Sequence, residues 1–280
     1  MCDVNDQEEL SKYTRRDFGT WAASAGLLAA LPSVANAVAV TEREVTITTP
    51  DGTCDAYFVA PSSGSAPGVL VWPDVFGLRP AFRQMGRRLA ESGYSVLVVN
   101  PFYRQKKAPT AAQGGQTPIE EVRPLMQALT PAMHLGDGKT FVTWLDAQPQ
   151  VDKTKKIGTT GYCMGGPIAV RTATAAPERV GAVASFHGAA MVTAAPDSPH
   201  RLVGQTQARY LIAIAENDDT KEPEAKNSLR AALENAKRPA EVEVYPAAHG
   251  WCPPDSRVYD AAQAERAWTR LLATLNSGLA

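Results

Sequence analysis

The sequence predicts an α/β domain: a mostly parallel, doubly wound sheet flanked by helices on both faces. Three observations lead there. Short apolar, β-branched runs recur at residues 69–72, 95–99, 180–186, 210–215 and 242–245, and such runs read as strands buried on both sides. Stretches of helical period lie between them, at 82–90, 138–147 and 224–236, and strand–helix alternation produces parallel pairing. A strand-like segment at 156–160 also turns at once into a helix beginning at Pro167, through Gly161-Tyr162-Cys163-Met164-Gly165-Gly166. With 280 residues, 44% of them hydrophobic, the chain can build one sizeable core.

The first forty residues differ from the rest. Thr14-Arg15-Arg16-Asp17-Phe18 precedes an apolar run from Trp21 to Leu31, which ends in Ala35-Asn36-Ala37. Paired arginines, a moderate apolar segment and a small-x-small site are the parts of a twin-arginine export signal. The run is too short and too rich in alanine and glycine to span a bilayer. The expectation is a signal peptide over 1–37, the twin-arginine export machinery as its partner, and a single periplasmic or secreted domain over 38–280. The mature chain would carry 25 basic against 24 acidic residues. That balance gives no steering toward nucleic acid. Cys54, Cys163 and Cys252 would remain, an odd number, so at least one thiol is unpaired. A Cys54–Cys252 disulfide is open but not demanded by the spacing.

Along the mature chain, residues 45–49 and 55–59 read as a hairpin closed by Asp51-Gly52. Residues 61–67 form a small polar loop before the first core strand at 69–72. The helix at 82–90 stops at Ser92-Gly93, ahead of the strand at 95–99. Residues 103–131, rich in Pro, Gly and Gln, break the rhythm and read as an excursion over the sheet, with a helical patch at 119–129. A helix at 138–147 leads to the strand at 156–160. The strands at 180–186 and 210–215 end at His187-Gly188 and Glu216-Asn217-Asp218-Asp219. The last strand, 242–245, is followed by Ala248-His249-Gly250-Trp251, and an amphipathic helix over about 259–275 closes the chain.

Gly161–Gly166 organises the chemistry. A strand that turns sharply into a helix, with glycines around one reactive residue, lifts that side chain above the sheet. Here the residue is Cys163, and a thiol supplies some thiolate near neutral pH. Cys163, then Asp218 or Asp219, then His249 fall just past the C-terminal ends of successive strands, where open α/β sheets bind ligands. Nucleophile, acid, histidine is the chain order of the α/β-hydrolase triad. Of the four histidines, His249 has the matching order, whereas His187 precedes the acid. Asp218 is preferred because Asn-Asp directly follows the strand, which leaves Asp219 a turn or capping role. The N–H groups of Met164 and Val75 are the expected oxyanion donors. Asp74, in Trp72-Pro73-Asp74-Val75-Phe76-Gly77, is a carboxylate expected in the pocket wall, able to modulate the thiol.

On these residues the chain resembles the dienelactone hydrolase family, the carboxymethylenebutenolidases. The resemblance rests on Gly-Tyr-Cys-x-Gly-Gly at Gly161–Gly166, Asn-Asp after the acid strand, His-Gly-aromatic at His249–Trp251, and acidic-x-Phe-Gly at Asp74–Gly77. It implies an α/β-hydrolase fold and a Cys-His-Asp triad that opens an enol-lactone. It also implies a carboxylate at the Asp74 place, usually glutamate, that controls the thiol's resting protonation. Arg104 matches one family arginine that holds the substrate carboxylate; the second is replaced by Cys252-Pro253-Pro254. Trp251 is placed with them at the substrate. The expected function is a carboxylic ester or lactone hydrolase working through an acyl-enzyme, monomeric, with no metal and no cofactor. The alternative is a secreted small-molecule-binding protein on a catalytically silent scaffold.

Overall fold

The computed structural model describes residues 31–280. Residues 1–30, with the paired arginines and most of the apolar run, lie outside the described residues. Among the described residues one sheet of eight strands runs in the order β1-β2-β4-β3-β5-β6-β7-β8. These are β1 (Val40–Thr49), β2 (Gly52–Pro61), β3 (Gly68–Trp72), β4 (Ser95–Val99), β5 (Ile157–Tyr162), β6 (Val180–Phe186), β7 (Arg209–Ala215) and β8 (Ala240–Tyr245). β1, β2 and β4 pair antiparallel; the pairs from β4 through β8 are parallel. The helices are α1 (Pro80–Glu91), α2 (Ile119–Gln127), α3 (Pro131–Asp146), α4 (Gly165–Ala175), α5 (Pro199–Leu202), α6 (Glu216–Lys221), α7 (Ala225–Asn235) and α8 (Ala261–Gly278).

The buried strands alternate their apolar side chains between two faces. Leu70, Trp72, Leu97 and Val99 join one core cluster with Phe141 and Leu145 of α3, Ile168 and Ala173 of α4, and Leu229 of α7. Val69, Val71, Val96 and Val98 join the other with Phe82 and Leu89 of α1 and Leu271 and Leu275 of α8. The predicted layers are therefore present.

Four local readings change. The hairpin turn is Pro50-Asp51, because Gly52 already pairs with Thr49 as the first residue of β2. α3 begins at Pro131 and not at 138. Thr130 caps it, its hydroxyl accepting the Met133 N–H at 3.3 Å, with proline in the first turn. The segment after β7 is a helix, α6, where a loop was expected. Cys54 and Cys252 lie in different core clusters and form no disulfide.

The connection after β3 leads to β4 on one side, and the chain then crosses back to place β5 on the other side of β3. The strand order reverses at β3 and β5. A crevice at such a switch point, beyond the C-terminal strand ends, is where ligands bind this class of sheet.

Candidate active site

The loop after β3 and the turn after β5 lie side by side at that switch point. Trp72 and Gly161 are register partners, so the chain enters both segments at the same height. The turn into α4 is very tight. A Cβ on Gly161 would lie 1.9 Å from the Gly165 carbonyl oxygen, and one on Gly165 would lie 2.4 Å from the Trp72 carbonyl oxygen. Only glycine fits either place. Cys163 takes the strain, with φ 53°, the left-handed conformation that a side chain normally avoids. Its N–H donates to the Phe186 carbonyl at 3.0 Å and to His187 Nδ1 at 3.1 Å, and its carbonyl accepts from Gly166 and Ala189. Cys163 is 4% exposed.

His249 and Asp218 meet at the same sheet edge. Asp218 Oδ2 stands 2.6 Å from His249 Nδ1. The Asn217 side-chain oxygen accepts the His249 N–H at 2.8 Å and ties the histidine loop to α6. Asp219 turns away and pairs with Lys226 at 2.6 Å. The geometry thus separates the two adjacent aspartates. The side chains of His249 and Asp218 are 18% and 28% exposed, so the pair is partly open to water, more at the carboxylate than at the imidazole. The rings of His187 and His249 meet edge to face, centroids 4.9 Å apart. His187 therefore bridges the Cys163 backbone and the His249 ring.

Val75 sits in the loop after β3 and Met164 in the turn after β5. Among the described residues the Val75 N–H has no hydrogen-bond acceptor, and Met164 immediately precedes α4. Both places suit a donor to a developing oxyanion.

Three expected pocket residues have other partners. Asp74 is 6% exposed and receives the Arg79 guanidinium in a two-pronged pair, at 2.6 and 2.9 Å. The same oxygen that takes one prong also accepts the Phe76 N–H at 2.9 Å. Asp74 shapes the loop that carries Val75, and its lone pairs point into that loop and to arginine. Arg79 reaches on to Asp255 at 2.7 Å, which locks the β3 loop to the segment after His249. Arg104 is spent on Asp137, through two bonds of 2.7 Å, and on Asp51 at 2.6 Å. All three of its nitrogens have carboxylate partners. Trp251 is fully buried, stacked on Tyr245 and edge-on to His187 at 5.0 Å. It supports the histidines from behind.

Sequence reasoning missed Arg79; it placed His187 at a strand end within reach of the pocket but not its bond to the Cys163 amide, and it used Asn217 without its bond to His249. Asn217 was legible as half of the Asn-Asp pair; Arg79 carried no signal, since its partners are 5 and 176 positions away. Burial pushes the Cys54 and Cys252 thiols well above their ordinary range, so neither competes as a nucleophile. Among the described residues no group of three or more His, Cys, Asp or Glu could hold a metal ion, and no helix is long and apolar enough to cross a membrane.

The model of the dienelactone hydrolase family matches residues 54–279. A Synechocystis protein provisionally named a carboxymethylenebutenolidase is 29% identical over 214 residues, 74% of this chain and 85% of its own. A carboxymethylenebutenolidase of Rhodococcus opacus is 26% identical over 65% of this chain and 69% of its own. A Klebsiella pneumoniae crystal structure, provisionally named a dienelactone hydrolase, superposes with a TM-score of 0.74 at 24% identity, covering 85% of this chain and 99% of that one. That last likeness speaks for the fold.

Proposed function

The chain belongs to the dienelactone hydrolase family, and from that premise we propose that it hydrolyses carboxylic esters or enol-lactones through Cys163, His249 and Asp218. It is a dienelactone hydrolase-like enzyme; the triad and the acyl-enzyme are the proposal. The observation that supports it best is the Asp218–His249 pair, 2.6 Å apart, set one ring away from the strained Cys163 turn.

The steps follow from the groups. His249 takes the Cys163 proton while Asp218 holds the imidazole tautomer and stabilises the imidazolium. The thiolate attacks the acyl carbon, and the oxyanion is received by the Val75 and Met164 N–H groups. Collapse breaks the ester C–O bond. The leaving alkoxide or enolate takes the proton from His249, and a thioester remains on Cys163. Water then gives a proton to His249 and its oxygen to the acyl carbon. The carboxylic acid departs and the thiol is restored. Nothing in this sequence of steps calls for a metal or cofactor.

Cys163→Ala is expected to abolish turnover of p-nitrophenyl esters and enol-lactones. In the wild type, quenched mixtures should show a mass increase equal to the acyl group on the peptide carrying Cys163. Undiminished hydrolysis by the variant would refute the assignment. The silent-scaffold alternative gains no support from the family or the geometry.

The export reading is also a proposal. Its support is that Ala35, Asn36 and Ala37 are exposed, with a turn at Ala35-Asn36, whereas Val38 N–H already bonds the Glu91 carbonyl of the domain. Cleavage after Ala37 would leave the body's hydrogen bonds intact. Terminal sequencing of exported protein should begin at Val38, and replacing Arg15 and Arg16 by lysine should retain the precursor in the cell.

A further inference from the structure

His187 directly follows β6 in the left-handed region, φ 42°, and is 1% exposed. Its N–H is fixed to the Ala213 carbonyl at 2.8 Å. Its Nδ1 stands 3.1 Å from the Cys163 nitrogen, whose N–H points at it. An N–H donor needs a lone pair opposite, so Nδ1 carries no proton, and a neutral imidazole then carries it on Nε2. We propose that His187 is a positioning residue: a neutral, Nε2-protonated imidazole that pins the Cys163 amide and walls the His249 ring while His249 alone carries the proton during turnover.

This rests on reading Cys163 and His249 as the reacting pair. The argument is geometric. Cys163 holds a costly backbone conformation, and its N–H is shared between two acceptors, Phe186 O at 3.0 Å and His187 Nδ1. Losing one loosens the turn that aims Sγ. On the other side, the His187 ring meets His249 at 4.9 Å and Trp251 at 5.0 Å, with Tyr162 at 6.2 Å. The titratable groups facing it are Cys163 and Tyr162 from the β5 side and His249 from the loop after β8. Asp218 lies beyond His249, on that ring's Nδ1. No carboxylate contacts His187. A second proton at Nδ1 would set N–H against N–H, on a ring that is 1% exposed and beside an imidazole that must itself become cationic. Burial and the neighbouring His249 both lower the pKa of His187 well below the ordinary range. The same geometry denies His187 the role of base, since its lone pair already serves the Cys163 amide.

The test uses the full chain labelled with ¹⁵N-histidine, in which only four imidazoles contribute. One imidazole should show the Nε2–H tautomer, stay unchanged between about pH 5 and pH 9, and vanish in His187→Asn. A His187 signal that titrates in that window, or reports the Nδ1–H tautomer, overturns the proposal. Kinetics supply the second arm. His187→Phe fills the space without an acceptor, and kcat should fall on the order of tenfold to a hundredfold with KM nearly unchanged. His187→Asn offers an amide oxygen to the Cys163 N–H and should recover most of that loss. Equal losses in the two variants, or a loss confined to KM, overturn it. Should the Phe variant fail to fold, the tautomer and the Asn variant still decide. If the wild type hydrolyses no ester or lactone, the hydrolase reading fails while the NMR arm still reads the state of His187.

Discussion

Asp218 and Asp219 are neighbours whose partners give them different work. On a helix, consecutive side chains diverge by about 100°, and α6 begins at Glu216. Asp218 consequently faces His249, and Asp219 faces Lys226. Asp218→Asn should lower kcat on the order of a thousandfold, because the imidazole loses its tautomer anchor. Asp219→Asn should leave kcat within twofold and cost about 1 kcal/mol or less, since its ion pair is partly exposed. Comparable losses in both variants would remove the assignment. The sequence prefers Asp218 from the Asn-Asp placement, but the physical separation of the two side chains comes only with the helical conformation of the segment. Arg104 presents a different case. Its place in a family pattern suggested a substrate carboxylate, yet Asp137 and Asp51 within the chain take its charge. Arg104→Ala is therefore expected to destabilise the fold by roughly 3–5 kcal/mol, the cost of breaking a buried pair and stranding Asp137. It should raise KM no more for carboxylate-bearing lactones than for neutral esters; a selective rise would return Arg104 to the substrate.

At the scale of elements, the turn from β5 into α4 was the most legible part of the chain. Gly161 and Gly165 are forced by backbone approach, and a backbone clash leaves a strong mark on sequence. The start of α3 was less legible. Its first two turns hold Gly136 and Gly138, which weaken the helical signal. Gly138 is there because α3 and α4 pack closely: a Cβ would lie 2.8 Å from the Thr172 hydroxyl. Packing overrides propensity, and the Thr130-Pro131 start then becomes the reliable cue. Thr130→Ala should cost about 1 kcal/mol, read from the denaturation midpoint at an unchanged slope. No change in midpoint would mean that the cap is redundant. The fold class and the sheet's strands were legible because buried strands must be apolar on both faces. The β3 loop was not, because the Asp74–Arg79–Asp255 link joins residues that no local pattern connects.

For the whole molecule, two imidazoles with buried ring nitrogens, His134 on α3 and His187 beside the Cys163 turn, are expected to set a pH limit on stability. His134 has both ring nitrogens buried without hydrogen-bond partners among the described residues. Burial first, then the charges of Arg171 and Arg104, bring its pKa from the ordinary 6.5 down to about 3. His187 is shifted in the same direction by burial and by His249. Both groups are depressed in the folded state, so below about pH 6.5 the unfolded chain binds protons that the folded chain refuses. Stability is complete above that pH and drains away as the solution is acidified, by at most about 1.4 kcal/mol per pH unit for each histidine. The melting temperature should accordingly fall between pH 7 and pH 5, and His134→Phe should flatten that slope by about one proton's worth without touching kcat at pH 7. Retention of the full slope in His134→Phe would assign the acid sensitivity elsewhere. Loss of the slope in His134→Phe and His187→Asn together would show that the protein's acid limit is written in two imidazoles with buried ring nitrogens, one of them bonded to the Cys163 amide.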